Sequence, residues 1–191
     1  MPWLTPTPGS RLFGSSWPAA ASTPHAYLLH GPQGIGKRAM AERLMARLLC
    51  QQPQGLDACG GCKACMLLKA GSHPDNFVLE PEEADKPIKV DQVRELVAFV
   101  VQTAQLGGRK VVLIEPVEAM NVNASNALLK SLEEPSGDTV LLLVTHQPSR
   151  LLRLSRAAAS RWRARSQAWP RARPGWRVRC LTVTRPSVTS Y

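Results

Sequence analysis

The last 41 residues of this 191-residue chain contain no acidic residue and no lysine, although they contain ten arginines. The first 150 residues contain 14 basic and 14 acidic side chains, so the formal net charge of +10 belongs entirely to the final segment. A net charge of this size usually indicates a nucleic-acid partner. Because the first 150 residues are neutral overall, charge gives no such indication for them.

The sequence also lacks an apolar run long enough to cross a bilayer, and it lacks an N-terminal charged-then-apolar signal. We therefore expect a cytoplasmic protein without membrane contacts. Residues 1–24 are rich in proline, serine, threonine and alanine and show no clear periodicity, so we expect them to form a poorly ordered lead-in.

A glycine-rich turn lies between the first predicted strand and the first predicted helix. It runs Gly-Pro-Gln-Gly-Ile-Gly-Lys and contains Gly31, Gly34, Gly36 and Lys37. In a P-loop, such glycines let backbone N–H groups surround a phosphate, and the lysine reaches its outer oxygens. The order of strand, turn and helix therefore predicts a P-loop.

Two positions of this predicted P-loop site depart from the pattern of an active ATPase. Arg38 stands where Ser or Thr provides a hydroxyl ligand for magnesium, and a cation cannot replace an oxygen ligand. Glu115 ends a later predicted strand and can bind magnesium through water, but Pro116 stands where the general base often lies. Glu118 lies too far along the chain for that position. We therefore expect weak or absent ATP binding and no catalytic residue.

Strands and helices alternate along residues 25–152, which predicts an α/β domain with a mostly parallel sheet. Continuous apolar runs within 109–115 and 139–145 are typical of buried parallel strands. An apolar stripe from Val93 predicts a helix capped by Asp91, and residues 122–134 predict another helix. Lys37, Glu115 and Thr145 fall at carboxyl ends of predicted strands, where ligands bind in such sheets.

Four of the five cysteines lie within sixteen residues, in the spacing C-x8-C-x2-C-x2-C: Cys50, Cys59, Cys62 and Cys65. This spacing suits a tetrahedral zinc site with four thiolate ligands, which is structural because no position stays open for a substrate. The competing interpretations are disulfides, which the missing secretory signal disfavours, and unrelated thiols, for which chance clustering of four of the five cysteines is implausible. We predict a structural zinc module at residues 50–65 and interpret His73 as a loop histidine.

Several motifs occur in the order found in bacterial clamp-loader subunits. Besides the P-loop and the cysteine cluster, they are Ser72-His-Pro-Asp75, Leu106-Gly-Gly-Arg-Lys-Val-Val112, Asn126-Ala-Leu-Leu-Lys-Ser-Leu-Glu-Glu-Pro135 and Thr145-His-Gln-Pro-Ser-Arg-Leu151. Over residues 25–152 the sequence therefore resembles this AAA+ family of the DNA polymerase III holoenzyme. Its degenerate nucleotide motifs are most similar to those of the delta-prime members, whereas gamma/tau subunits carry intact motifs.

The resemblance implies a three-layer AAA+ domain with a small zinc-binding insertion. It implies a non-catalytic subunit of the clamp loader, within a DNA-directed DNA polymerase holoenzyme, that helps load the sliding clamp onto primed DNA. The implied partners are the gamma/tau and delta subunits, with the clamp and the DNA contacted indirectly. An active P-loop ATPase of the gamma/tau type and a zinc-stabilised DNA-binding fragment remain as alternatives.

Beyond Leu152 the sequence departs from the family. The Ser-Arg-Cys motif that presents the family's arginine finger is absent, and residues 153–191 do not resemble the family's lid and collar domains. We therefore expect the chain as given not to assemble stably with the other subunits. Arginines without acids, and tryptophans spaced seven apart, lead to the hypothesis of an out-of-frame read that does not fold natively. The alternative is a genuine basic tail that binds nucleic acid through phosphates.

Overall fold

The computed structural model describes residues 25–55, 57–83, 86–106, 108–121, 123–125 and 138–147, and the backbone of residues 162–167 and 177–183. The strands are β1 (Ala26–His30), β2 (Asn76–Leu79), β3 (Lys110–Ile114), β4 (Thr139–Thr145), β5 (Trp162–Gln167) and β6 (Arg177–Val183). The helices are α1 (Lys37–Leu49), α2 (Lys63–Lys69) and α3 (Val90–Val101), with a 3-10 turn at Val117–Ala119. The predicted lead-in and most of the predicted helix 122–134 lie outside the described residues. None of the helices in the described ranges is long and apolar enough to cross a membrane.

The strands form a single sheet in the order β2-β3-β4-β1-β6-β5. The pairs β2–β3, β3–β4 and β4–β1 are parallel, which confirms the predicted α/β class. Every residue of β3 and β4 is buried, as expected for inner parallel strands whose two faces are both covered. The carboxyl ends of β1, β3 and β4 therefore meet at one edge of the sheet.

Two apolar clusters, one on each face of the sheet, form the core. On the first face, Tyr27 and Leu29 pack with Leu44 and Leu49 of α1 and with Leu68 of α2. On the opposite face, the α3 stripe packs on the sheet, and its buried members are Val93, Leu96 and Val100. The prediction of Asp91 as the helix cap is wrong, because α3 begins one residue earlier, at Val90. Lys89 is the cap, and its N–H donates to Gln92 Oε1 at 2.9 Å.

The final segment contributes two antiparallel strands to the sheet. β6 pairs with β1, placing Cys180 opposite Tyr27, and β5 pairs with β6 along the outer edge. These two strands were not predicted from the sequence, and the expectation that residues 153–191 do not fold natively stays a prediction. Two physical features favour the pairing: residues 177–183 contain β-branched Val and Thr, which suit a strand, and β1 would otherwise leave its backbone groups unpaired on that side.

A buried lysine and a buried aspartate hold the segment that joins α3 to β3. Lys110 Nζ donates to the carbonyl oxygens of Phe99 at 2.7 Å, of Val100 at 2.5 Å and of Gln102. The ammonium thus satisfies carbonyls at the end of α3, where the helix dipole also favours a cation. Burial lowers the pKa of Lys110, and the nearby Asp75 carboxylate acts in the opposite direction.

Asp75, the residue before β2, forms hydrogen bonds with the same segment. Its two carboxylate oxygens accept hydrogen bonds from the backbone N–H groups of Gln105 at 2.6 Å and Leu106 at 2.9 Å. The segment therefore has both its carbonyl and its amide groups bound by buried charged side chains. The motifs around Asp75 and Lys110 lie at the edge of the sheet opposite the glycine-rich turn.

His73 is buried, and its Nδ1 accepts a hydrogen bond from the backbone N–H of Asp75 at 3.1 Å. Nδ1 therefore carries no proton, and the ring is neutral. Burial lowers the pKa of His73, against the opposing effect of Asp75. The pKa is therefore lower in the folded than in the unfolded chain. The stabilising contribution of the neutral ring is complete above the unfolded pKa of about 6.5 and is lost as the pH falls through the lower folded pKa.

We expect wild-type protein to lose more unfolding free energy than a His73→Asn variant when the pH falls from about 7.5 to about 5, by about 1 kcal/mol. The asparagine oxygen replaces the Nδ1 acceptor but does not titrate in this range. Urea denaturation of both proteins at both pH values measures the difference. Equal losses in the two proteins would contradict the prediction.

Candidate functional site

The glycine-rich turn connects β1 to α1 at the carboxyl edge of the sheet. Gly34 and Gly36 have φ angles of 78° and 87°, which are strained for any residue with a β-carbon. α1 begins at Lys37, directly after Gly36, so its first N–H groups, which lack partners within the helix, lie at this turn. The geometry of the turn therefore depends on glycine at these two positions.

Lys37 is buried inside the turn. Its Nζ donates to the carbonyl oxygens of Gly31 at 3.0 Å and Pro32 at 2.6 Å. Burial lowers the pKa of Lys37, while the negative charges of Glu115 and Glu118 act to raise it. The ammonium is thus held by carbonyls of its own loop and lies within electrostatic reach of two carboxylates.

Arg38 joins three carboxylates from three parts of the fold. Its Nε donates to Glu42 at 2.7 Å, one turn further along α1, and its Nη1 donates to Glu80 at 2.6 Å, just after β2. The same Nη1 donates to Glu115 Oε2 at 3.3 Å, just after β3. Burial opposes the charge on Arg38, but the bonds to Glu42 and Glu80 outweigh it and raise the pKa of the guanidinium.

These contacts have a direct consequence for metal binding at Glu115. The guanidinium is a permanent cation without an acceptor atom, so it cannot ligate a metal ion. It also neutralises the carboxylate that a divalent cation would need, and it repels any second cation placed there. The sequence pattern shows that Arg38 is out of place in a P-loop, but Glu42 and Glu80 were not predicted as its partners. The four-residue spacing of Arg38 and Glu42 on a helix was a usable signal.

Thr145 and Glu118 complete the polar groups at this edge. The Thr145 side chain is buried, and its Oγ1 accepts the backbone N–H of Gln147 at 3.1 Å. Glu118 returns to the edge through the 3-10 turn after β3, and its Oε1 accepts the N–H of His146 at 2.7 Å. The structure thus brings the glycine-rich turn, Glu115 and Thr145 to one edge of the sheet.

The four clustered cysteines lie at the other end of α1. Cys50 follows the last residue of α1, Cys59 and Cys62 lie in the next loop, and Cys65 lies on α2. All four are free thiols, and their sulfur atoms lie within 4.8 Å of one another. Four cysteines this close together can hold a metal ion.

The separations between the sulfur atoms fit one tetrahedral ion. Cys50 Sγ lies 3.5 Å from Cys59 Sγ and 3.9 Å from Cys62 Sγ, and Cys59 Sγ lies 4.0 Å from Cys65 Sγ. Four sulfurs placed about 2.3 Å from a zinc ion would be about 3.8 Å apart. A disulfide needs about 2.0 Å. The arrangement therefore fits a metal tetrahedron rather than two disulfides.

The four thiols differ in how readily they ionise. Burial raises the pKa of Cys65 to about 12 and also raises the pKa of Cys50. Burial acts in the same direction at Cys62, but backbone N–H donors and neighbouring thiols outweigh it and hold that pKa at about 6. Backbone N–H donors also lower the pKa of Cys59. Since the thiolate is the metal-binding form, the lowered pKa values of Cys59 and Cys62 favour the form that binds a metal.

The chain is similar to known proteins of one family. A family model described as "DNA polymerase III, delta subunit" matches residues 16–163. The chain is 80% identical over 128 residues to the DNA polymerase III subunit delta' of Pseudomonas aeruginosa, covering 67% of this chain and 39% of that protein. It is 42% identical over 151 residues to the subunit delta' of Escherichia coli, covering 79% of this chain and 44% of that protein.

A solved structure has a similar fold. It is a DNA polymerase III, gamma subunit-related protein from Thermotoga maritima, with a TM-score of 0.52 and 23% identity, covering 72% of this chain and 40% of that one. The chain spans less than half the length of the two curated relatives and of this structure.

Proposed function

Because the chain belongs to the DNA polymerase III delta-subunit family and resembles its delta-prime members, we propose that it is a non-catalytic subunit of the clamp loader. In this role it helps to load the sliding clamp onto primed DNA during replication. Its partners are then the gamma/tau and delta subunits, through which it meets the clamp and the DNA. Family membership over residues 16–163 supports this assignment.

The contact of Arg38 with Glu115 is the observation that supports a non-catalytic role. A P-loop ATPase needs a magnesium ion between its hydroxyl ligand, its strand-end acid and the phosphates. Here the guanidinium of Arg38 takes the place of the hydroxyl and pairs with the acid at 3.3 Å. The residues of a nucleotide site, Gly31, Gly34, Gly36, Lys37, Glu115 and Thr145, then form a degenerate site that binds ATP weakly or not at all.

We further propose that Cys50, Cys59, Cys62 and Cys65 hold a structural zinc ion. The donor set of four thiolates favours zinc among common intracellular ions, and three of the six sulfur separations, at 3.5–4.0 Å, fit its tetrahedron. Four protein ligands leave no position for water or substrate. The ion therefore stabilises the loop between α1 and α2 rather than acting on a substrate.

Replacing Arg38 by threonine should create magnesium-dependent nucleotide binding. The substitution supplies the missing hydroxyl ligand and frees Glu115, so we expect affinity for Mg·ATP to rise by at least about tenfold, equivalent to about 1.4 kcal/mol. Equilibrium binding of a fluorescent ATP analogue, with and without magnesium, measures the effect. The matched control is Arg94→Thr, which removes an exposed arginine paired with Asp91 on α3. This variant should have the same affinity for Mg·ATP as the wild type.

The wild-type protein distinguishes the proposed role from an ATPase of the gamma/tau type. A non-catalytic subunit should release no phosphate from ATP in a magnesium-dependent manner, which a phosphate-release assay measures. Turnover by the wild-type chain that Lys37→Ala abolishes would contradict the proposal and favour the active ATPase instead.

A further inference from the structure

We propose that Arg43 and Arg47 are positioning residues for the cysteine site, and that through them metal binding stabilises helix α1. The inference rests on the zinc site proposed above. The two arginines are not metal ligands, but they position the loop that carries two of the ligands. Both side chains project from the second half of α1 towards the loop that carries Cys59 and Cys62.

Arg43 holds this loop through a two-point contact with Asp57. Its Nε donates to Asp57 Oδ1 at 2.5 Å, and its Nη2 donates to Asp57 Oδ2 at 2.8 Å. A bidentate pair of this kind fixes the orientation of the carboxylate as well as its distance. Asp57 lies two residues before Cys59, so the contact sets where the second ligand lies relative to α1.

Arg47 holds the same loop through its backbone. Its Nε donates to the carbonyl oxygen of Gly55 at 2.7 Å. Gln54 and Asp57 exchange two backbone hydrogen bonds, of 2.9 and 3.0 Å, which close the loop into a tight turn. Because Arg43 and Arg47 are four residues apart, they lie on one face of α1 and both contact this turn.

The site and the helix are also joined at the end of α1. Cys50 is the C-cap of α1, and its N–H donates to the carbonyl oxygen of Arg47 at 3.3 Å. A bound ion would bond this cap to the loop cysteines and to Cys65 of α2. The ion would then link the C-terminal end of α1 to the loop that Arg43 and Arg47 contact. Binding the ion would therefore restrain the helix at its end and through these two arginines.

A double variant, Arg43→Ala with Arg47→Ala, tests the proposal in the full chain. The four ligands remain, so one zinc ion per chain should still bind. Its affinity should fall about 10- to 100-fold, as is typical when groups that orient the ligands are removed. Competition with a chromophoric chelator measures the affinity. Arg94→Ala is the matched control, because it removes an exposed arginine paired with Asp91 far from the cysteines, and it should keep the wild-type value.

The hydrogen-exchange rates of α1 amides provide a second test. At saturating zinc, weaker zinc binding alone would not change these rates. With saturating zinc, amides in residues 43–49 of the wild-type protein should exchange more slowly than after chelation. In the double variant, also at saturating zinc, this difference should shrink. Arg43→Lys keeps the charge but loses the two-point contact, so we expect it to show part of the same loss.

Two results would overturn the proposal: wild-type zinc affinity in the double variant, or an unchanged exchange response. If the double variant does not fold, Asp57→Asn weakens the same contact without altering α1, and the same two results apply to it. A wild-type chain that binds no zinc would instead overturn the zinc site, so the two failures are distinguishable.

Discussion

Replacing Cys65 by serine is expected to remove the bound metal and to lower the free energy of unfolding by about 4 kcal/mol when free zinc is near a thousand times its dissociation constant. Cys65 is buried on α2, and as a ligand of the proposed zinc ion it would join this helix to the loop. A hydroxyl in its place is a poor zinc ligand, and three thiolates cannot complete the tetrahedron. The metal contributes folding free energy because an unfolded chain holds no preformed site.

Elemental analysis of purified protein and urea denaturation measure the two effects of Cys65→Ser. The fifth cysteine offers a matched control, since Cys180 lies in β6, far along the chain from the cluster. Cys180→Ser should retain one zinc ion per chain. The assignment fails if Cys65→Ser keeps stoichiometric zinc, or if chelation leaves the wild-type unfolding curve unchanged.

Replacing Lys110 by methionine is expected to lower the free energy of unfolding by about 3 kcal/mol. The substitution keeps most of the apolar stem but removes the ammonium that binds three carbonyl oxygens at the end of α3. Each buried acceptor left without a partner costs about 1–3 kcal/mol, and relief of the buried charge offsets part of the total. The loss should be accompanied by faster hydrogen exchange in residues 99–106.

The control for Lys110→Met is Lys89→Met, because Lys89 is exposed and its ammonium pairs with the exposed Glu82. Surface ion pairs contribute little, so this variant should stay within about 0.5 kcal/mol of the wild type. Equal urea midpoints for the two lysine variants would show that the carbonyl contacts of Lys110 do not stabilise the fold.

Local patterns in the sequence were sufficient to predict the parallel part of the sheet. The runs that became β3 and β4 are short, apolar and bounded by polar residues, and such segments have few alternatives to a buried strand. The cysteine cluster was equally predictable, because two residues separate each of its last three cysteines and only eight residues separate Cys50 from Cys59. Both predictions depend on interactions between residues that are near in sequence or that repeat at a fixed period.

The partners of Arg38, Asp75 and Lys110 were not predictable in the same way. Glu80 lies 42 residues beyond Arg38, and Glu115 lies 77 residues beyond it, so their convergence depends on the order of the strands. Asp75 reaches amides about thirty residues away for the same reason. The strands in the final segment were not predicted, because arginines without acids and tryptophans at a regular spacing suggested an out-of-frame read, whereas pairing with β1 depends on backbone groups that composition does not reveal.

The pairing of β6 with β1 has a consequence for how the chain is made. Tyr27 emerges from a ribosome long before Cys180, which lies opposite it in the finished sheet. Throughout that interval β6 is not yet present to pair with this side of β1, and an open strand edge is a template for pairing with other nascent chains. Synthesis of the last segment therefore covers this side of β1. A pause in translation before that segment should favour binding by chaperones or association between chains that are being synthesised on the same mRNA.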